Sequence, residues 1–152
     1  MRDKFYITTA IDYSNAPPHL GHAYEKISAD AIARHFRQRG KDVIFLTGLD
    51  EHGSKIEKTA FEKGLTPEEH CNQIANYYLE TWKKLNISYD IFYRTHSDIH
   101  IKSVQKIFNT LKEKGDLYIK EYQGLYCSGC ESFYLEKDLD ENGFCPNHKR
   151  KT

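Results

Sequence analysis

Short runs rich in β-branched and aromatic side chains alternate with longer stretches whose apolar residues recur every three or four positions. Lys4, Phe5, Tyr6, Ile7, Thr8 and Thr9 predict a buried strand. Asp12 to Pro18 follows as a turn-rich stretch, with Ser14, Asn15, Pro17 and Pro18 as its breakers. From about Gly21 to Arg39 the apolar positions Ala23, Ile27, Ala31, Ile32 and Phe36 predict a helix that Gly40 stops. Val43 to Leu46 reads as a second strand, with Asp50 to Gly53 just beyond its C-terminal end. A helix to Lys63 follows and stops at Gly64. Thr66-Pro67-Glu68-Glu69 is a strong helix start, with Thr66 as N-cap and acids in the first turn, and the helix runs to about Leu85. Ile91, Phe92 and Tyr93 form a short third strand. A last helix, capped by Thr95 or Ser97, places Ile99, Val104, Ile107, Phe108 and Leu111 inward and ends at Gly115.

This alternation predicts an α/β fold with a parallel sheet and right-handed crossovers. The pattern changes after Gly115, where Leu117 to Tyr126 read as short strands around Gly124 ahead of a cysteine cluster. Two segments are therefore expected, 1–114 and 115–152.

Composition narrows the function. The 22 Lys and Arg are balanced by 22 Asp and Glu, which excludes a wholesale basic footprint for nucleic acid. Arg34, Arg37, Arg39 and Lys41 read first as a solvated helix face, with an RNA contact as the alternative. No apolar run reaches the about 18 residues of a membrane helix. Met1 to Ala10 lacks an apolar signal core, so a cytoplasmic location is expected. In that compartment four cysteines point to a metal site before disulfides.

Three motifs carry chemistry. His19-Leu20-Gly21-His22 lies between a strand and a helix, where helix N–H groups, the positive end of the dipole and two imidazoles suit a phosphate. A pair of surface histidines in a Pro-rich turn is the plain alternative. Thr47 to Gly53, with Asp50, Glu51 and His52, should sit beside it on the same sheet edge, where a carboxylate can hold an ammonium or ribose hydroxyls. A helix cap is the competing reading. Cys127-x2-Cys130 and Cys145-x2-His148 are two ligand pairs with two-residue gaps, separated by 14 residues. Three thiolates and an imidazole suit structural Zn²⁺ with no open position; unligated thiols or disulfides are the alternative. Cys71 reads as an ordinary thiol, Trp82 as core, and Arg94 as either an ion-pair partner or a substrate contact.

These motifs in this order resemble the class I aminoacyl-tRNA synthetases, and among them the methionyl-tRNA synthetases. Phe5-Tyr6-Ile7-Thr8-Thr9 through His19-Leu20-Gly21-His22-Ala23-Tyr24 is similar to the family's first strand and HIGH signature. Phe45-Leu46-Thr47-Gly48, Asp50-Glu51-His52-Gly53, Arg94-Thr95, Tyr122-x-Gly124-x-Tyr126-Cys127 and Cys130-Glu131-x-Phe133-Tyr134 are similar to later blocks. The resemblance implies the first half of a Rossmann-like parallel-sheet catalytic domain, followed by the start of a small zinc-knuckle insert of the one-zinc bacterial type. It implies activation of methionine with ATP and Mg²⁺ to methionyl-adenylate, then transfer to tRNA(Met). Carried over by position, His19, Gly21 and His22 would be the catalytic phosphate-holding residues. Glu25 would reach the adenosine, Ile11 and Tyr13 would line the methionine pocket, Asp50 would hold its ammonium, and Cys127, Cys130, Cys145 and His148 would hold zinc.

Two departures stand out near the site. The family often has Pro where Ala10 stands and an aromatic where Asp12 stands, which places a carboxylate near the ATP entrance. The second signature, Lys-Met-Ser-Lys-Ser, is absent, since Met1 is the only methionine. The chain therefore looks like the N-terminal part of a longer enzyme, expected to be inactive or nearly so alone. A three-strand half-sheet would expose an unpaired edge. The oligomeric state is left open. Two other readings compete: a standalone zinc-knuckle module binding RNA or a protein partner, and a small nucleotidylyltransferase, a superfamily that also uses an H-x-G-H turn.

Overall fold

The computed structural model describes residues 3–149 and 151. Backbone packing divides the chain into two compact units, Met1–Gln105 and Lys106–Thr152. The first is an α/β unit. Strand β1 (Lys4–Tyr13), helix α1 (Leu20–Gln38), β2 (Asp42–Asp50), α2 (Ser54–Glu62), α3 (Pro67–Lys84), β3 (Ile91–Arg94) and α4 (Asp98–Glu113) follow in order. The sheet is parallel throughout, in the order β1-β2-β3. The division between units falls within α4.

Local signals set the helix ends. Thr66 caps α3 by accepting from the Glu69 N–H, while the Glu69 carboxylate accepts from the Thr66 N–H at 2.8 Å. This is the reciprocal box that satisfies two orphan donors.

Both long strands outrun their sequence signals. The stretch expected to turn at Asp12 is still strand up to Tyr13, and Asp50 closes β2 instead of lying beyond it. Pairing in register with a neighbour, a long-range effect, extends them. Between Thr8↔Leu46 and Ile11↔Gly48, β1 uses three steps against two on β2, so it contains a bulge. Phe5 and Ile7 pack onto the core, but after the bulge Ile11 is 40% exposed and Asp12 is buried. One extra residue has exchanged the two faces.

The core lies between the sheet and α1 and α3. Val43, Phe45 and Leu49 of β2 meet Ala29 and Ala33 of α1, and Ile74, Ala75, Tyr78 and Trp82 of α3. The buried face of α1 differs from expectation. Lys26, Ala29, Asp30 and Ala33 are buried, whereas Ile27 and Ile32 are exposed. Alanines let the helix approach the sheet closely, and the two charged residues are buried because each has partners. Asp30 accepts from the Ser88 N–H at 2.7 Å, from the Ser88 hydroxyl and from Arg34 Nε at 2.6 Å. Arg37 donates to the Ser88 carbonyl and to Asp90 at 2.7 Å. Arg34 and Arg37 thus tie α1 to the 86–90 loop instead of forming a free solvated face.

Gly48 sits where β2 passes β3. A Cβ there would lie 2.0 Å from the Tyr93 carbonyl oxygen. Gly48→Ala is expected to push the strands apart and lower stability by about 1–3 kcal/mol. Urea unfolding of the variant would show it, and an unchanged midpoint would contradict the close approach.

The second unit holds the C-terminal part of α4, an antiparallel pair β4 (Leu125–Cys127) and β5 (Ser132–Tyr134), and a short 3-10 turn at Glu136–Asp138. Among the described residues of this unit the first strand begins at Leu125, so of the stretch 117–126 expected to form short strands around Gly124 only the end does so. The inward stripe expected on α4 is also not buried: Ile99, Val104, Ile107, Phe108 and Leu111 all remain exposed.

Candidate functional site

The first site gathers at the carboxyl ends of β1 and β2 and the N-terminus of α1. His19 is the N-cap of α1, and its Nδ1 accepts from the Gly21 N–H at 3.0 Å. His22 Nδ1 accepts in turn from the His19 N–H at 3.2 Å. The two rings stack with centroids 3.8 Å apart. Gly21 fits under this stack because a Cβ would lie 2.9 Å from the His19 ring. The Tyr78 hydroxyl lies 3.2 Å from His22 Nδ1. With both Nδ1 atoms used as acceptors, this network assigns the neutral rings their proton on Nε2. Each histidine therefore keeps an Nε2–H to donate beside the helix N-terminus, where the dipole favours an anion.

Burial holds His22 below the ordinary histidine pKa, aided by His19 and Lys26 and opposed by the charge of Asp12. Burial does the same to His70, with Lys63 assisting. Both pKa values are depressed on folding, so the unfolded chain protonates first. Their contribution is fully present above about pH 6.5 and is lost as pH falls through the folded values. Asp30 acts in the same direction at lower pH. Burial raises its pKa, but hydrogen bonds from Ser88 and Arg34 outweigh that and hold it below the usual range. Urea midpoints should therefore fall from about pH 7 to about pH 5, and replacing His22 and His70 by Gln should flatten the first part of that fall.

Beneath this turn lies a charged cluster that the sequence did not reveal. Lys26 is fully buried, and its Nζ donates to Asp12 Oδ1 at 2.7 Å, to Glu25 Oε2 at 2.8 Å and to the Ala10 carbonyl at 3.1 Å. Glu25 Oε1 accepts from the Ala10 N–H at 3.0 Å. Burial raises the Glu25 pKa, but these bonds outweigh it and keep the carboxyl below its ordinary range. Asp12 is thus an internal partner of Lys26, not a carboxylate standing free at a ligand entrance. Its Oδ1 lies 3.9 Å from His22 Nε2.

Tyr13 and Asp50 are register partners at the ends of β1 and β2, and Ile11 pairs with Gly48 two residues earlier. The bulge thus brings Ile11, Tyr13 and Asp50 to one face. The neighbouring Glu51 has a structural role. Its buried carboxylate takes Arg94 Nε at 2.8 Å and the His96 N–H at 3.2 Å. That assigns Arg94 as an ion-pair partner. Cys71 is buried, and burial, reinforced by the charge of Glu51, raises its thiol to about 11, as expected of an inert thiol. Trp82 is core.

In the second unit the two ligand pairs converge. The donor atoms of Cys127, Cys130, Cys145 and His148 all lie within 4.8 Å of one another. Cys130 Sγ is 3.5 Å from Cys145 Sγ and 3.2 Å from His148 Nδ1. A tetrahedral zinc with Zn–S near 2.3 Å needs sulfur separations of about 3.7 Å. All four cysteines are free thiols. The donor set and its spacing are consistent with zinc.

The family model described as tRNA synthetases class I (M) matches residues 5–152. The chain belongs to this family. The methionine–tRNA ligase of Clostridium tetani is 53% identical over 143 residues, covering 94% of this chain and 22% of that protein. The corresponding ligase of Thermosynechococcus vestitus is 45% identical across 100% of this chain and 29% of its own length. Mycobacterium tuberculosis methionyl-tRNA synthetase, solved in complex with methionyl-adenylate, aligns with a TM-score of 0.85 at 38% identity, over 91% of this chain and 27% of that one. The chain thus spans between about a fifth and a third of the length of these class I relatives. Among the described residues no helix is long and apolar enough to cross a membrane.

Proposed function

We propose that residues 1–114 supply the ATP- and methionine-binding half of a methionine–tRNA ligase, and that 115–152 begin its zinc-binding insert. The observation that carries this reading is the stacked pair of cap histidines at the N-terminus of α1, whose Nδ1 atoms accept backbone N–H groups and leave Nε2 to face a ligand. His19, Gly21 and His22 hold the ATP phosphates, Glu25 reaches the adenosine, Ile11 and Tyr13 line the methionine side chain, and Asp50 pairs with its ammonium. A methionine carboxylate oxygen attacks the α-phosphorus. The bond from that phosphorus to the bridging oxygen breaks, and pyrophosphate leaves with its Mg²⁺. Methionyl-adenylate remains, and methionine then passes to the terminal ribose of tRNA(Met). No side chain acts as nucleophile, so the protein contributes positioning and charge stabilisation. Zinc held by Cys127, Cys130, Cys145 and His148 supplies a rigid cross-link, since four protein donors leave no open position. The place of action is the cytoplasm.

Titrating the zinc-loaded chain with ATP and Mg²⁺, followed by histidine ¹⁵N resonances, tests this. Weak binding should shift the Nε2 signals of His19 and His22, and His19→Ala with His22→Ala should abolish it. Methionine-dependent ATP–pyrophosphate exchange should stay at background on this length of chain. No histidine shift in a folded chain would overturn the ATP reading. Nucleotide transfer without methionine would favour the nucleotidylyltransferase instead.

A further inference from the structure

We infer that Tyr134 and Asn147 form a donor pair that quiets the Cys130 thiolate, keeping it on the metal and slow toward electrophiles. This rests on the zinc reading above. The three sulfurs are not equally protected. Cys127 and Cys145 are 2% and 0% exposed, whereas Cys130 is only half-buried. The first cysteine of each pair is also served by its own turn: backbone N–H groups of Gly129 and Cys130 face the Cys127 sulfur, and those of Asn147 and His148 face Cys145.

Cys130 is the second ligand of its pair and receives side-chain donors instead. The Tyr134 hydroxyl donates to its Sγ at 3.0 Å, and Asn147 Nδ2 approaches the same sulfur at 3.6 Å. Asn147 Nδ2 is also 3.4 Å from the Tyr134 oxygen, so the two donors brace each other. Strand pairing fixes the tyrosine, because Tyr134 on β5 stands opposite Leu125, two residues before Cys127. A donor on a metal-bound thiolate draws charge from the sulfur. That weakens its attack on electrophiles and orients the lone pair that binds the metal. Both donors sit on the sulfur of the least buried of the three cysteines.

The test uses the full chain loaded with Co²⁺ or Zn²⁺, comparing wild type with Tyr134→Phe, Asn147→Ala and the double variant. Tyr134→Phe keeps the ring, and Asn147 is exposed, so neither threatens the fold. The sulfur-to-cobalt charge-transfer band should move to lower energy at unchanged intensity. Alkylation of Cys130 by iodoacetamide, read by peptide mass, should speed up, with Cys127 unchanged as the internal control. Zinc affinity against a competing chelator should fall on the order of 10-fold in the double variant. Unchanged band energies and alkylation rates in variants that bind cobalt would overturn the donor pair alone. Failure of the wild-type chain to bind either metal would overturn the zinc reading and the inference with it.

Discussion

Lys26→Met is expected to cost about 3–5 kcal/mol in urea unfolding, because it strands a buried carboxylate. The lysine side chain is fully buried and that of Asp12 is 3% exposed. This burial shields the carboxylate from solvent that would otherwise replace the ammonium 2.7 Å from Asp12 Oδ1. The same substitution removes the donor to the Ala10 carbonyl. The Glu25 contact contributes less, since that carboxylate is 42% exposed and rehydrates. Combining Lys26→Met with Asp12→Asn should recover most of the loss, because removing both charges avoids the desolvation cost that removing one creates. The two single variants and the double form a cycle whose coupling energy is the decisive quantity. A coupling near zero would mean that Lys26 and Asp12 do not depend on each other for stability.

Removing zinc from its proposed site at Cys127, Cys130, Cys145 and His148 is expected to have the larger effect on residues 125–149. Among the described residues of the second unit, only Cys127 and Cys145 are buried. Apolar residues that might build a core there, such as Tyr126, Phe133, Leu135 and Phe144, are exposed. The ligand cluster is thus the organising centre of this unit. Metal binding and folding should be one event, with an apparent coupling of about 10–16 kcal/mol for a structural zinc site. Adding a strong chelator, or replacing Cys145 by Ser, should collapse amide dispersion across 125–149. The sheet amides of residues 4–94 should keep their protection, because their core contains none of these ligands. Retained dispersion after complete chelation would show that other contacts hold the unit.

What could be read from the sequence was what neighbours along the chain decide. The Thr66 box and the Cys-x2-Cys and Cys-x2-His pairs are written in adjacent residues, so their helix start and their ligand cluster follow directly. The histidine turn was legible for the same reason, down to its glycine. What escaped depends on partners far away in sequence. Lys26 and Asp30 look like solvent residues until Asp12 and Ser88 are placed beside them. Ile27 and Ile32 look like core until the alanine face of α1 is seen against the sheet. Tyr78 reaches His22 across 56 residues, and Arg94 reaches Glu51 across 43. The apolar stripe of α4 is legible as a stripe, but periodicity does not tell whether another element covers it, and the inward placement expected of it is not found.

The bulge in β1 gives that strand two reading frames. Before it, odd-numbered residues serve the core; after it, Asp12 takes the inward place, and Ile11 and Tyr13 turn to the opposite face. Substitutions in the two halves can therefore accumulate without reference to each other, as if they belonged to separate strands. Losing one residue at Thr9 or Ala10 would merge the frames into one unbroken alternation, with Ile11 still opposite Gly48 and Asp12 still inward opposite Leu49.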